Sequence, residues 1–85
     1  MTSVREYILL TLLVEEELPS KTIIEIVKRM GEDVGRDIGV AQIYARLWEL
    51  EKDGLIERDS TVWRLTKKGK EVAETIAERI CEEEG

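Results

Sequence analysis

Histidine is missing from this chain altogether, and so is phenylalanine. Without imidazole no Ser-His pair, Cys-His pair or His-based metal site can be built. A single cysteine, Cys81, excludes an internal disulfide and points to an inert thiol in a reducing compartment. No apolar run approaches the roughly 18 residues of a membrane span, since Tyr7 to Val14 is only a short interior segment. The opening MTSVRE lacks the charged-then-apolar layout of a signal peptide. Gly31, Gly35 and Gly39 are spaced by four with no Lys-Ser or Lys-Thr behind them, so they do not form a phosphate-cradling loop. The carboxylate run Glu82 to Glu84 lies on a solvated tail. These absences leave a cytoplasmic protein that is not an enzyme and has no metal, cofactor or membrane contact.

What is present suits one small domain over residues 1–85. A chain of this length buries only about 60–65% of its unfolded surface on folding. With 42% hydrophobic residues and no Phe, the core must be built from Ile, Leu and Val, and pairing with a second copy would enlarge it. The net charge of -6 is unfavourable for touching phosphate, but its distribution is uneven. Residues 55–70 set Arg58, Arg64, Lys67, Lys68 and Lys70 against only Glu57 and Asp59. Residues 71–85 set Arg79 against six glutamates, and residues 1–20 set Arg5 against four. A basic centre thus lies between two acidic ends. The abundance of Glu, Lys, Arg and Ile also fits a heat-adapted surface of mixed ion pairs.

Helical periodicity predicts a first helix from Val4 to about Glu16, opened by a Ser3–Glu6 capping box. Its apolar surface is wider than one neighbour needs. Leu18-Pro19-Ser20 is a short connection with one extended residue able to pair with a later hairpin, and Ser20 is the expected N-cap of a second helix from Lys21 to about Met30. A loop from Gly31 to Gly39 follows, with Asp37 as a candidate cap for a third helix. In that helix Val40, Ile43, Leu47 and Leu50 form the apolar stripe, and Gly54 provides the left-handed stop. Glu57–Asp59 and Thr61–Leu65 flank a polar corner at Asp59-Ser60, a hairpin signature. Thr66 caps a last helix from Lys67 to about Glu82, whose narrow stripe of Val72, Ile76 and Ile80 suits packing on the first helix or on its copy in a dimer. A helix followed directly by a hairpin is the working half of a winged helix-turn-helix. The predicted fold is mainly α with a small β-hairpin, comprising a three-helix core, a short wing and a C-terminal helix.

Ile43-Tyr44, Leu47, Leu50-Glu51, Gly54-Leu55-Ile56 and then Trp63-Arg64-Leu65-Thr66 with Gly69 resemble the PadR-like family of winged helix-turn-helix transcriptional regulators. Tyr7 to Leu10 is similar to that family's first helix, and the resemblance covers nearly the whole chain. It implies a homodimer that binds operator DNA, usually as a repressor and sometimes under control of a small-molecule effector. Two features depart from the pattern. Ala41-Gln42 replaces the family's small-Thr pair, and the wing is short.

At about 100° per residue, the outward face of the third helix carries Ala41, Gln42, Ala45, Arg46, Glu49 and Lys52. Gln42 can pair bidentately with adenine and Arg46 with guanine, while Ala41 and Ala45 permit close approach. Lys21, Arg36, Arg58, Arg64, Lys67 and Lys68 are the candidate phosphate contacts. Tyr44 is assigned to core packing or a hinge, and Trp48 to covering the hairpin or joining a dimer surface. The partners expected are double-stranded DNA and a second copy of the chain, meeting through the first and last helices. The competing expectation is a winged helix used for protein contacts within a larger assembly.

Overall fold

The computed structural model describes residues 1–84. Ser3 opens α1 (Val4–Glu15) with the reciprocal capping box. The Glu6 amide donates to Ser3 Oγ at 3.2 Å, and the Ser3 amide donates to Glu6 Oε1 at 2.8 Å. Glu16 then takes φ +68° and turns the chain into β1 (Glu17–Pro19). The extended connection is therefore a three-residue strand.

α2 (Ser20–Asp33) continues three residues past Met30, so Gly31, expected to open the loop, lies inside it. Ser20 does not cap this helix. Pro19 stands at the N-cap without a side-chain bond, and Ser20 Oγ instead accepts the Trp63 indole N–H at 2.8 Å. A buried indole must find an acceptor, and this demand outweighs the local capping preference. Nor does Asp37 cap α3 (Val40–Lys52), whose N-cap is Gly39 with no side-chain bond.

α3 ends in a Schellman motif. The Leu55 amide reaches the Leu50 carbonyl at 2.9 Å, and the Gly54 amide reaches that of Glu51 at 3.0 Å. Gly54 takes φ +76°, where a Cβ would be strained. Leu55 and Leu50 are both buried, supplying the hydrophobic contact that accompanies this motif. The chain then forms β2 (Ile56–Asp59) and β3 (Val62–Leu65), with the two-residue turn at Ser60-Thr61 and Ser60 at φ +60°. The sheet order is β1-β3-β2, all antiparallel, with Leu18 opposite Trp63 and Arg58 opposite Trp63 on its other side.

Thr66 opens α4 (Lys67–Glu84), accepting the Gly69 amide on Oγ1 at 3.0 Å. The buried stripe of α4, Ala73 and Ile76 with Val72 and Ile80 beside them, packs into the same core as Ile8, Leu12, Ile43, Leu47 and Trp63. α4 lies chiefly against α1 of its own chain. Arg79 ties the two helices together by pairing with Glu6.

Glu6 therefore closes both a helix cap and an interhelical ion pair. Burial pushes its carboxyl pKa up, but the Ser3 amide and Arg79 outweigh that and hold it below the ordinary carboxylate value. A depressed folded-state pKa stabilises the fold above the unfolded-state value, and that stabilisation is lost as pH falls through the folded-state value. Glu6→Gln should cost about 0.5–1.5 kcal/mol at neutral pH. The stability difference from wild type should shrink as the medium is acidified below the ordinary carboxylate range. Urea titrations at several pH values would show this, and a pH-independent difference would contradict it.

Candidate nucleic-acid interface

Ile43, Leu47 and Leu50 turn one side of α3 into the core, which leaves Ala41 and Gln42 exposed and Ala45 half-buried on the other. Among the described residues the Gln42 amide has no side-chain hydrogen bond, so its donor and acceptor face solvent.

Trp48 is 66% exposed and Tyr44 is 39% exposed, so neither ring is a core residue. Seven residues apart on a helix, Ala41 and Trp48 point within about 20° of each other. Trp48, expected to cover the hairpin or join a dimer surface, thus lies on the same side as Ala41 and does not cover the hairpin.

Arg46 lies at the edge of the outward face, engaged with a carboxylate of its own helix. Its guanidinium is half-buried, with Nη2 3.2 Å from Glu49 Oε2, and its Nε is buried without a hydrogen-bond partner. Arg5 from α1 reaches the same flank, donating to Glu49 Oε1 at 3.3 Å and to Asp53 Oδ2 at 2.9 Å. Glu49 of α3 and its C-cap Asp53 are thereby paired from a helix 44 to 48 residues away in sequence. No local pattern signals that pairing.

The hairpin sorts its charges by face, because side chains alternate along a strand. Arg58 shares a face with Trp63 and lies over its ring, 5.7 Å from the centroid. The Trp63 indole in turn bonds Ser20 at the start of α2, beside the exposed Lys21. Arg58, Trp63, Ser20 and Lys21 thus link the hairpin to the first turn of α2.

Arg64 occupies the opposite face, between Glu57 and Glu17 on the neighbouring strands, and also pairs with Asp59. Three carboxylates surround this one guanidinium, so the basic surplus read from residues 55–70 is not a basic hairpin surface. The rest of that surplus sits at the hairpin root. Lys67 is exposed there, and Lys68 Nζ lies 3.5 Å from the Asp53 carbonyl at the end of α3. Arg36 is folded back on α1, with Nη1 donating to the Thr2 carbonyl and the guanidinium 5.6 Å from the Tyr7 ring centroid.

Of the ten predicted site residues, then, the structure leaves Ala41, Gln42, Lys21, Arg58, Lys67 and Lys68 exposed and Ala45 partly so. It engages Arg36, Arg46 and Arg64 within the protein. Among the described residues no cluster of His, Cys, Asp and Glu could hold a metal, and no helix is long and apolar enough to cross a membrane.

Three core helices, a strand paired to a two-stranded hairpin and a closing C-terminal helix define a winged helix-turn-helix. Solved structures share this architecture. RosR of H. salinarum superposes with a TM-score of 0.75 at 23% identity, over 98% of this chain and 76% of that one. A transcriptional regulator from Clostridium thermocellum superposes with a TM-score of 0.64, also at 23% identity, over 88% of this chain and 78% of that one. No protein-family model and no curated protein matches the sequence, so the PadR-like resemblance rests on the motifs themselves.

Proposed function

We propose that this chain is a non-catalytic, sequence-specific regulator that binds double-stranded DNA. The observation that carries the reading is the uncovered N-terminal half of α3. There Ala41 and Gln42 stand clear of the rest of the chain, with Ala45 partly exposed beside them, on a winged-helix scaffold. Small residues allow a helix to approach base edges, and the Gln42 amide can pair with adenine. Lys21 and Arg58, joined through the Ser20–Trp63 bond, are the proposed phosphate contacts beside the groove, with Lys67 and Lys68 at the hairpin root as a second group. Arg36, Arg46 and Arg64 are engaged inside the fold and would have to break those contacts to reach DNA.

The PadR-like resemblance further supports a repressor acting as a homodimer in the cytoplasm. The apolar stripe of α4 is used on α1 of its own chain, which leaves a different part of α1 for a partner. Leu10, Thr11 and Val14 line an apolar groove of about 230 Å³ with Ile26 and Met30 of α2, and Val14 is 76% exposed. A hydrodynamic mass matching two copies of the 9.8 kDa chain at micromolar concentration is the expected result, and a single-copy mass would remove the dimer.

Affinity for duplex DNA that falls steeply with added salt tests the main reading, because phosphate contacts release counterions. Arg58→Ala should weaken all sequences alike and lower the salt slope by about one. Gln42→Ala should instead change base discrimination by about 1–3 kcal/mol at one position. The net charge of -6 favours the rival reading of a protein-binding winged helix, and absence of any salt-dependent duplex binding would decide for it.

A further inference from the structure

The uncovered part of α3 carries a run of exposed apolar side chains. Val40, Tyr44 and Trp48 recur every four residues and are all exposed, and Ala41 and Ala45 lie next to them. Eight residues of helix span about 12 Å, the rise of between three and four base pairs at about 3.4 Å each. Opposed to this stripe in the N-terminal half of the helix is one freely disposed polar reader, Gln42, with the exposed Lys52 one turn beyond Trp48 at the other end. Arg46, the other candidate, is held on Glu49 with part of its guanidinium buried. A duplex offers one apolar group on the base edges of its major groove, the C5-methyl of thymine.

Building on the DNA-binding reading above, we infer that Val40, Tyr44 and Trp48 make this helix a reader of thymine methyl groups, so that the preferred site is rich in A·T pairs recognised mainly by apolar contact. The Trp48 ring is the principal element. It is the most exposed of the three and has the small Ala41 and Ala45 on its N-terminal side, so a methyl group can seat against it there. Gln42 then pairs with an adenine across from one of those thymines. Exposure of two aromatic rings on a soluble surface, otherwise an invitation to self-association, is accounted for by this contact.

The test uses two duplexes of A·T pairs only, identical except that one carries deoxyuridine in place of every thymine. Wild-type protein should bind the thymine duplex more tightly by roughly fourfold for each methyl group removed from contact, so a ratio of about four to fifteen is expected. Trp48→Ala and, separately, Val40→Ala should reduce that ratio towards one, with circular dichroism confirming that each variant is folded. Equal affinity of the wild type for both duplexes, with salt-dependent binding intact, would overturn methyl reading while leaving DNA binding in place. A ratio that persists in both variants would assign the difference to duplex flexibility and would also overturn it. Failure to bind either duplex, or any duplex in a random pool, would remove the DNA-binding reading itself and favour a protein partner for the exposed rings.

Discussion

Gly69→Ala is expected to destabilise this protein by about 3 kcal/mol or more, because the new methyl group would occupy the position of a backbone carbonyl. An ideal Cβ at residue 69 lies 1.7 Å from the Leu55 oxygen and 2.7 Å from the Leu55 carbonyl carbon. No flexible side chain is available to move aside. The Leu55 carbonyl already accepts the Thr66 amide at 3.1 Å, and the Leu55 amide closes the end of α3 on Leu50. Thr66 Oγ1 donates to the Gly54 carbonyl at 2.6 Å and accepts the Gly69 amide. Residue 69 is therefore the point where the start of α4, the end of α3 and the hairpin root meet with only hydrogen between their backbones. Separating them would break several hydrogen bonds together. At about 4–8 °C per kcal/mol for a domain of this size, thermal unfolding should shift down by about 12 °C or more. Gly39→Ala provides the control. Nothing lies within 4 Å of its would-be Cβ and its φ is an ordinary -78°, so a change within about 0.5 kcal/mol is expected. If Gly69→Ala melted within two or three degrees (about 0.5 kcal/mol) of wild type, the close approach of α4 to Leu55 would be wrong.

The second large effect separates two neighbours. Leu47 is fully buried, and Leu47→Ala should cost about 2–5 kcal/mol through lost burial and an unfilled cavity. Trp48, the next residue, faces solvent, and Trp48→Ala should alter stability by no more than about 0.5 kcal/mol despite removing a far larger side chain. Duplex affinity should move the other way, with Trp48→Ala weakening it and Leu47→Ala leaving the affinity of the folded fraction unchanged. Denaturant unfolding paired with fluorescence-anisotropy titration reads both quantities. A loss of stability on removing Trp48 comparable to that for Leu47 would mean that the ring is covered in solution, most directly by a second copy.

The reversal between adjacent positions follows from 100° of rotation per residue, and it shows how much of the site was legible beforehand. The periodicity that placed Ile43, Leu47 and Leu50 inside placed Ala41 and Gln42 outside by the same arithmetic, whereas Trp48, expected to cover the hairpin or join a dimer surface, is found exposed beside them. Tyr44, assigned to core packing or a hinge, is also partly exposed, because its position sits at the edge of the buried stripe. Ser20 was misassigned for a related reason. A hydroxyl before a helical stripe is a good capping signal, but it cannot show that an indole 43 residues later will use the same oxygen.

Local chemistry determined the elements: the Ser3–Glu6 cap, the left-handed stop at Gly54, the Thr66 cap and the alternation of the hairpin all act within a few residues, so the sequence alone suffices to place them. Tertiary structure alone decided which charges are free. Arg5 meets Glu49 and Asp53, Arg36 meets Thr2 and Tyr7, and Arg64 meets Glu17, each across about thirty residues of chain or more. Long side chains can reach any carboxylate or carbonyl that the fold brings within several ångströms, and that proximity is a property of the packed chain, not of any stretch of it.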